Sequence, residues 1–328
     1  MTYWKSTGTY VDEVPPPGAN VVDGMWIFKV KRPPESPPIF KARYVARGFT
    51  EQDYELHSLD FSTAFLQGRL HEEICLRRLV YGLRKVLREW HDTLRTTLAA
   101  LGFRPSFTDP SPFVRSGPTP FFVLVYVDDL VFATADRAAL AEVKSELQKR
   151  HTCSDLGELH RYLDLQITRD KAAHTIILSQ SHMVLQVLQR FGLQFSTIQP
   201  TPLVVDHRPT GPFSDEPFES SGLYAELVGS LMYLMTCTCP DLAFPLSVLS
   251  RFVATGKHRP VYCTAAVRVA KYLATTSGMG LVLGGTHPVV LTGHGDPSYA
   301  DDVEKQRSTP GYCFSLGAGA VSWRSTRS

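Results

Sequence analysis

This chain has no pairing of cysteines that would hold a structural zinc ion. Its six cysteines, at 75, 153, 237, 239, 263 and 313, include no Cys-x-x-Cys pair and have no histidine ladder beside them. That argues against zinc and for free thiols in a reducing setting. No secretory or transit pattern precedes Trp4 and no apolar run approaches the roughly 18 residues of a membrane span, so an intracellular protein that crosses no membrane is expected. No internal repeat is visible, and there is no excess of either charge: 34 Lys and Arg stand against 32 Asp and Glu, a net charge of +2. Averaged over the chain, that balance argues neither for nor against a polyanionic partner.

At 328 residues the chain has room for two or three domains and a sizeable core. Hydrophobic content of 43% and charged content of 20% describe a soluble globular protein. Positive charge is concentrated locally. Residues 29 to 47 hold six bases (Lys29, Lys31, Arg32, Lys41, Arg43, Arg47) against Glu35, and residues 69 to 104 hold eight bases against four acids. Such patches suit phosphate contacts or a solvated charged face.

The chain is organised around Pro120 to Thr134, two apolar runs with Asp128 and Asp129 between them. Runs of β-branched and aromatic residues read as buried strands, so the pattern predicts a hairpin with two acids at its tip. Adjacent strand residues point to opposite faces, and both carboxylates can reach one site only if the chain turns sharply there. The tip is either a cation site or an ordinary surface turn, since Asp is a common turn residue.

Upstream, Met25 to Lys31 and Phe40 to Arg47 predict two strands joined by a proline-rich connection, a ribbon with alternating bases. Asp60 ends a short apolar approach and could cap a turn over Phe61 to Ala64. Leu87, Trp90, Leu94, Leu98 and Leu101 share a helical face closed by Gly102, a core stripe. Leu140, Val143 and Leu147 mark a second helix, with Asp136 at its start. Tyr162 to Ile167 and Thr175 to Leu178 read as strands, and Ser181 to Phe191 as a capped helix. Residues 199–222 are rich in Pro, Ser, Gly and acid and predict a linker. Helices are expected on Tyr224 to Thr236, Pro240 to Val253 and Val261 to Thr275, then strands on Gly280 to Gly284, Val289 to Thr292 and Tyr312 to Leu316.

In order along the chain stand Phe28-Lys29-Val30-Lys31, Lys41 to Phe49, Leu59-Asp60 through Ala64-Phe65-Leu66, Tyr81-Gly82-Leu83-Arg84, Tyr126-Val127-Asp128-Asp129, Asp155 to Leu159 and Leu227 to Leu234. This series resembles the reverse transcriptase of Ty1/copia-type retrotransposons. Leu291 to Asp296 and Arg307 to Tyr312 resemble the start of the RNase H region that follows it. The resemblance implies an α+β fold: a polymerase palm and fingers with an antiparallel sheet backed by helices over residues 1–198, then a linker over 199–222. A helical thumb or connection would occupy 223–278, and a truncated RNase H-like sheet 279–328.

The same resemblance implies a chemistry. Asp60, Asp128 and Asp129 would be the catalytic carboxylates, holding two Mg²⁺ (or Mn²⁺) ions together with substrate, because nucleotidyl transfer uses two hard cations. Lys31, Lys41 and Arg43 would neutralise the incoming triphosphate. Phe65 would gate against a 2′-hydroxyl, Arg84 would lie by template and nucleotide, and Tyr126 would support the primer terminus. Partners would be an RNA or DNA template-primer and deoxynucleoside triphosphates. Asp296 alone can be matched to an RNase H acid, so that activity is not expected here.

Several positions depart from the family pattern. Gly48 to Gln52 runs almost directly into Asp53 to His57, and Cys75 to Arg78 into Leu79 to Tyr81, each in place of a longer stretch. Lys85-Val86-Leu87 replaces Gln-Ala-Pro, Asp164 stands where glycine is usual, and Cys239 replaces an arginine. Three readings follow: an RNA-directed DNA polymerase, a non-catalytic remnant that binds nucleic acid, and a metal-dependent phosphohydrolase with only the Asp pair in its favour.

Overall fold

The structure is a computed structural model that describes residues 24–31, 39–46, 54–62, 86–106, 111–204, 221–253, 260–285, 290–302 and 307–326. They divide into two compact units, Met1–Glu158 and Leu159–Ser328. In the first, β1 (Gly24–Lys31) and β2 (Ile39–Ala46) pair antiparallel, with Lys29 opposite Lys41 and Ile27 opposite Arg43. The expected ribbon is present as a backbone pair.

The rest of this unit is built on β3 (Glu55–Phe61), β4 (Arg104–Pro105), β5 (Pro112–Arg115), β6 (Phe121–Tyr126), β7 (Asp129–Thr134) and β8 (Cys153–Glu158). These form one sheet in the order β4-β5-β6-β7-β3-β8, every pair antiparallel. Alternation along β6 and β7 turns Phe121, Val123, Val125, Leu130 and Phe132 to one face. Helices α1 (Val86–Ala100) and α2 (Arg137–Arg150) cover that face with Trp90, Leu94 and Leu98 from the first and Leu140, Val143 and Leu147 from the second. Gly102 takes φ +85° just past α1, as a helix-ending glycine does. The Ala139 N–H donates to Asp136 Oδ1 at 2.9 Å, so Asp136 caps α2 as its sequence position suggests. Truncating Leu130, which is fully buried, to Ala would cost about 2–5 kcal/mol.

The second unit contains β9 (Arg161–Tyr162), β10 (Leu165–Asp170), β11 (Thr175–Ser179) and β12 (Leu281–Gly284), an antiparallel sheet in the order β12-β11-β10-β9. A continuous strand over Tyr162 to Ile167 is therefore not what forms. The chain folds back at Leu163 and Asp164, both at positive φ (48° and 63°), and Asp164 lies exposed in an ion pair with Arg161. Asp tolerates this left-handed conformation, which also explains why glycine suits the position.

Helices α3 (Ser181–Arg190), α4 (Ser221–Cys237), α5 (Ala243–Leu249) and α6 (Pro260–Thr276) pack around Val187, Leu188, Val228, Leu231, Leu246, Val269 and Leu273. Ser181 does not cap α3. Gln180 holds that position without a side-chain cap bond, and its Oε1 instead accepts from the buried Thr238 hydroxyl at 2.8 Å. The helix expected over Pro240 to Val253 is broken into 3-10 turns at Pro240–Leu242 and Ser250–Phe252 around α5. Pro240 opens the first turn, where its missing N–H costs nothing. Finally β13 (Leu291–Asp302), β14 (Arg307–Leu316) and β15 (Gly319–Ser325) form an antiparallel meander. The last of these strands has no counterpart among the elements read from sequence.

Candidate active site

The acids meet at one end of the six-stranded sheet. Tyr126 pairs with Asp129 across the β6–β7 hairpin, which leaves Val127 and Asp128 as a two-residue turn. Val127 takes φ +54° and Asp128 does not, the signature of a turn whose first central position favours glycine. On the other side of β7, Asp60 pairs with Asp129, and the Phe61 N–H donates to the Asp128 carbonyl at 2.9 Å. Asp60 and Asp129 thus occupy the non-hydrogen-bonded position, where opposed side chains approach most closely. Asp60 is in a strand, and the reading of it as a turn cap does not hold, because β7 and β8 both pair through it.

This row of Asp60, Asp129 and Tyr126 points away from the helix-covered face, since the neighbouring row Leu59, Leu130 and Val125 points into the core. Tyr126 is 54% exposed. Burial raises the Asp128 carboxyl above its ordinary value, and the charges of Asp129 and Asp60 raise it further. Asp129 is raised in the same direction, first by burial and then by Asp60. Asp128 Oδ1 is buried with no hydrogen-bond partner. A buried acceptor without a donor is costly. Among the described residues no group of three or more His, Cys, Asp or Glu side chains forms a ready-made ion cage.

Beneath the turn lies an aromatic corner that sequence reading did not assign to the site. The Trp90 indole N–H donates to the Val127 carbonyl at 2.7 Å. The Trp90 ring meets Phe61 edge-on at 5.1 Å and His151 at 5.7 Å, while Phe61 meets His151 at 5.5 Å. His151 Nε2 lies 3.0 Å from the Thr97 hydroxyl, and burial lowers its pKa. The sequence shows Trp90 only as one member of an apolar stripe.

A second polar cluster sits on the core side of the sheet. Lys144, 7% exposed, donates from Nζ to Asp155 Oδ1 at 2.6 Å and approaches His57 Nδ1 at 2.8 Å. Asp155 reaches it because Leu156 is an extra residue between the pairs Ser58–Gly157 and Leu59–Asp155, a bulge closed by the Gly157 N–H on Asp155 Oδ1. Burial, then the Lys144 charge, lowers the His57 pKa. Burial works to raise the Asp155 pKa, but its bonds from Lys144 and Gly157 together with the Lys144 and His57 charges lower it overall.

The remaining sequence-derived residues are not brought to this end of the sheet by anything described. Phe65 and Arg84 lie outside the described residues, as do the side chains of Lys31, Lys41 and Arg43. Asp296 belongs to the other unit, exposed on β13 opposite Gly311. Among the described residues no helix is long and apolar enough to cross a membrane.

A mixed α/β chain whose antiparallel sheet ends in three aspartates, one of them in a tight hairpin turn and one beside it on β7, has the makings of a reverse transcriptase-like domain, and comparison with known proteins bears this out. Residues 74–205 match the family described as reverse transcriptase (RNA-dependent DNA polymerase). The chain is 29% identical to the retrovirus-related Pol polyprotein from transposon TNT 1-94 of Nicotiana tabacum, covering 99% of this chain and 28% of that protein. It is 30% identical to the Pol polyprotein from transposon RE2 of Arabidopsis thaliana, covering 95% and 24% respectively. A putative transposon Ty5-1 protein of Saccharomyces cerevisiae is 27% identical over 82% of this chain and 92% of its own length. The chain thus contains a reverse transcriptase domain and is similar over most of its length to copia-type Pol polyproteins. It spans about a quarter of the tobacco and Arabidopsis polyproteins. The alignment to the tobacco protein runs over 380 positions against 328 residues here, so at least 52 of its positions (380 less 328) have no counterpart in this chain.

Proposed function

We propose that the chain carries out template-directed DNA synthesis on RNA, with Asp60, Asp128 and Asp129 as the catalytic acids. The observation that carries this reading is the register that sets Asp60 against Asp129 beside the buried, unpartnered oxygen of Asp128. Three carboxylates offer hard oxygen donors and no soft ones, which fits Mg²⁺ or Mn²⁺ completed by substrate phosphates rather than by a closed protein cage. When bound, two such ions supply Lewis-acid activation of the primer 3′-hydroxyl and neutralise charge on the triphosphate.

The chain's own residues do the rest. The exposed Tyr126 ring, in the row of Asp60 and Asp129, offers a surface for the primer terminus. Lys31, Lys41 and Arg43 on the β1–β2 ribbon neutralise the triphosphate, Arg84 contacts template or nucleotide, and Phe65 excludes a ribose 2′-hydroxyl. In this assignment the six-stranded sheet with α1 and α2 is the palm, the β1–β2 ribbon the fingers, α4 to α6 the thumb or connection, and β13 to β15 with Asp296 the beginning of an RNase H-like sheet. The protein works inside the cell on a template-primer and deoxynucleoside triphosphates.

Primer extension on an RNA template, with Mg²⁺ and separately with Mn²⁺, tests this. Incorporation should occur with the wild-type chain and disappear in Asp128→Asn; no incorporation, or the same incorporation in the variant, refutes it. The missing positions relative to the tobacco polyprotein favour a second reading, a remnant that binds nucleic acid without synthesis. That reading calls for salt-sensitive template-primer binding in the wild type with no extension.

A further inference from the structure

The hairpin that presents Asp128 contains a conformational problem. Val127 is β-branched yet sits at φ +54°, where such a residue is a genuine outlier and persists only if its surroundings hold it. Two peptide carbonyls make up the turn, and each has a dedicated donor. The Asp128 carbonyl takes the Phe61 N–H at 2.9 Å, and the Val127 carbonyl takes the Trp90 indole N–H at 2.7 Å. The two donors come from neighbours, because the Phe61 and Trp90 rings pack edge to face. Trp90 is 1% exposed, and a buried indole N–H needs an acceptor. Its acceptor is a turn in β6–β7, 37 residues away and off its own helix.

From this geometry we infer that Trp90 is a positioning residue for the acid turn: its indole N–H fixes the Val127 peptide and thereby the placement of the Asp128 carboxylate. The inference rests on the polymerase reading only for its effect on rate. Its effect on the turn is independent of activity. Among the described residues no donor reaches the buried Oδ1 of Asp128 to orient it, so the placement of that oxygen follows from the backbone, which is held at the Val127 carbonyl by Trp90.

The test uses Trp90→Phe, which keeps a buried ring and loses the donor, and a second variant in which the indole is replaced by the isosteric benzothiophene, which loses only the donor. Each is made in the wild-type chain and in Val127→Gly, where glycine takes positive φ without strain. Hydrogen exchange is read at Val127 to Asp129 and, as the control, along α1, β6 and β7. Exchange at the turn should quicken by about fivefold or more in both Trp90 variants while the control segments hold their rates. In the Val127→Gly background the same substitutions should change it by less than about twofold.

In primer extension kcat should fall about tenfold, equivalent to about 1.4 kcal/mol, with KM for the nucleotide unchanged. An ordinary packing role would instead speed exchange across the whole sheet, or leave the turn unchanged when only the donor is lost. Either result overturns the inference. If the wild-type chain extends no primer while the local exchange effect is present, the polymerase reading fails and the role of Trp90 in holding the turn stands.

Discussion

Asp128→Asn should make the protein more stable while removing the charge its proposed chemistry needs. Asparagine keeps the shape of the side chain and its place in the turn but removes one of three neighbouring negative charges. Asp128 feels both Asp129 and Asp60. Asp128 stands in the turn beside these two charges rather than directly across from either, and after solvent screening an exposed charge–charge contact is worth about 0.2–1 kcal/mol. Relief from two such neighbours therefore amounts to about 1 kcal/mol, which raises Tm by about 2–4 °C for a cooperative unit of this size.

Thermal unfolding in EDTA reads this directly. Repeating the scan with Mn²⁺ reverses the advantage, because an ion that binds only the folded wild type at tenfold its Kd adds about 1.4 kcal/mol, whereas the variant has lost a donor. The reasoning is refuted if Asp128→Asn unfolds at lower temperature than wild type in EDTA. The carboxylate would then be stabilising the turn, and the acid pair would be an ordinary hairpin tip.

Stability should also respond to pH through two histidines. His57 and His151 both have pKa values lowered by burial from the ordinary 6.5, so the folded state binds fewer protons than the unfolded one between the two values. Their contribution is present above about pH 6.5 and is lost as pH falls through the folded-state values; urea melts at steps from pH 8 to pH 5 should show the decline, and a flat profile would contradict it. Lys144 gives a sharper result: among the described residues Asp155→Ala leaves its buried ammonium with His57 Nδ1 alone as a hydrogen-bond partner and should cost about 3 kcal/mol in urea denaturation. Lys144→Met combined with Asp155→Leu should cost less than that, since no buried ammonium is then left without its half-exposed carboxylate partner. A double variant as unstable as Asp155→Ala would mean the pair itself holds β8 to the sheet.

Much of the fold is legible because it follows local periodicity. The alternation of Phe121, Val123 and Val125, the stripe Leu94 and Leu98, and the Asp136 cap each depend on residues close in sequence, and the structure keeps all three. The departures occur where a single residue's backbone decides. Tyr162 to Ile167 has the composition of a strand, but Leu163 and Asp164 adopt positive φ and turn it into a hairpin. Gln180, not Ser181, stands at the start of α3, and its side chain makes no cap bond but accepts a buried one from Thr238, 58 residues on. Neither fact is written in a window of neighbouring residues.

The candidate site divides in the same way. Asp128 and Asp129 stand out in sequence as two charges between apolar runs, and a resemblance adds Asp60, but only the β3–β7 register brings Asp60 to Asp129. What holds the turn could not be seen at all by periodicity, since Trp90 belongs equally to the core stripe whether or not its N–H has a distant acceptor. The signal lies in a conflict between two levels: valine in a turn position that favours glycine. A hairpin tip that served only to reverse the chain would gain from glycine at position 127 and from neutral residues after it. This one keeps a strained valine, like charges side by side and a buried oxygen without a donor. It offsets them with an indole bond and a packed aromatic corner. Such a combination is unfavourable for the isolated fold, and cations and phosphates bound as proposed would offset it, so the stability of Asp128→Asn and the chemistry proposed for Asp128 should run in opposite directions.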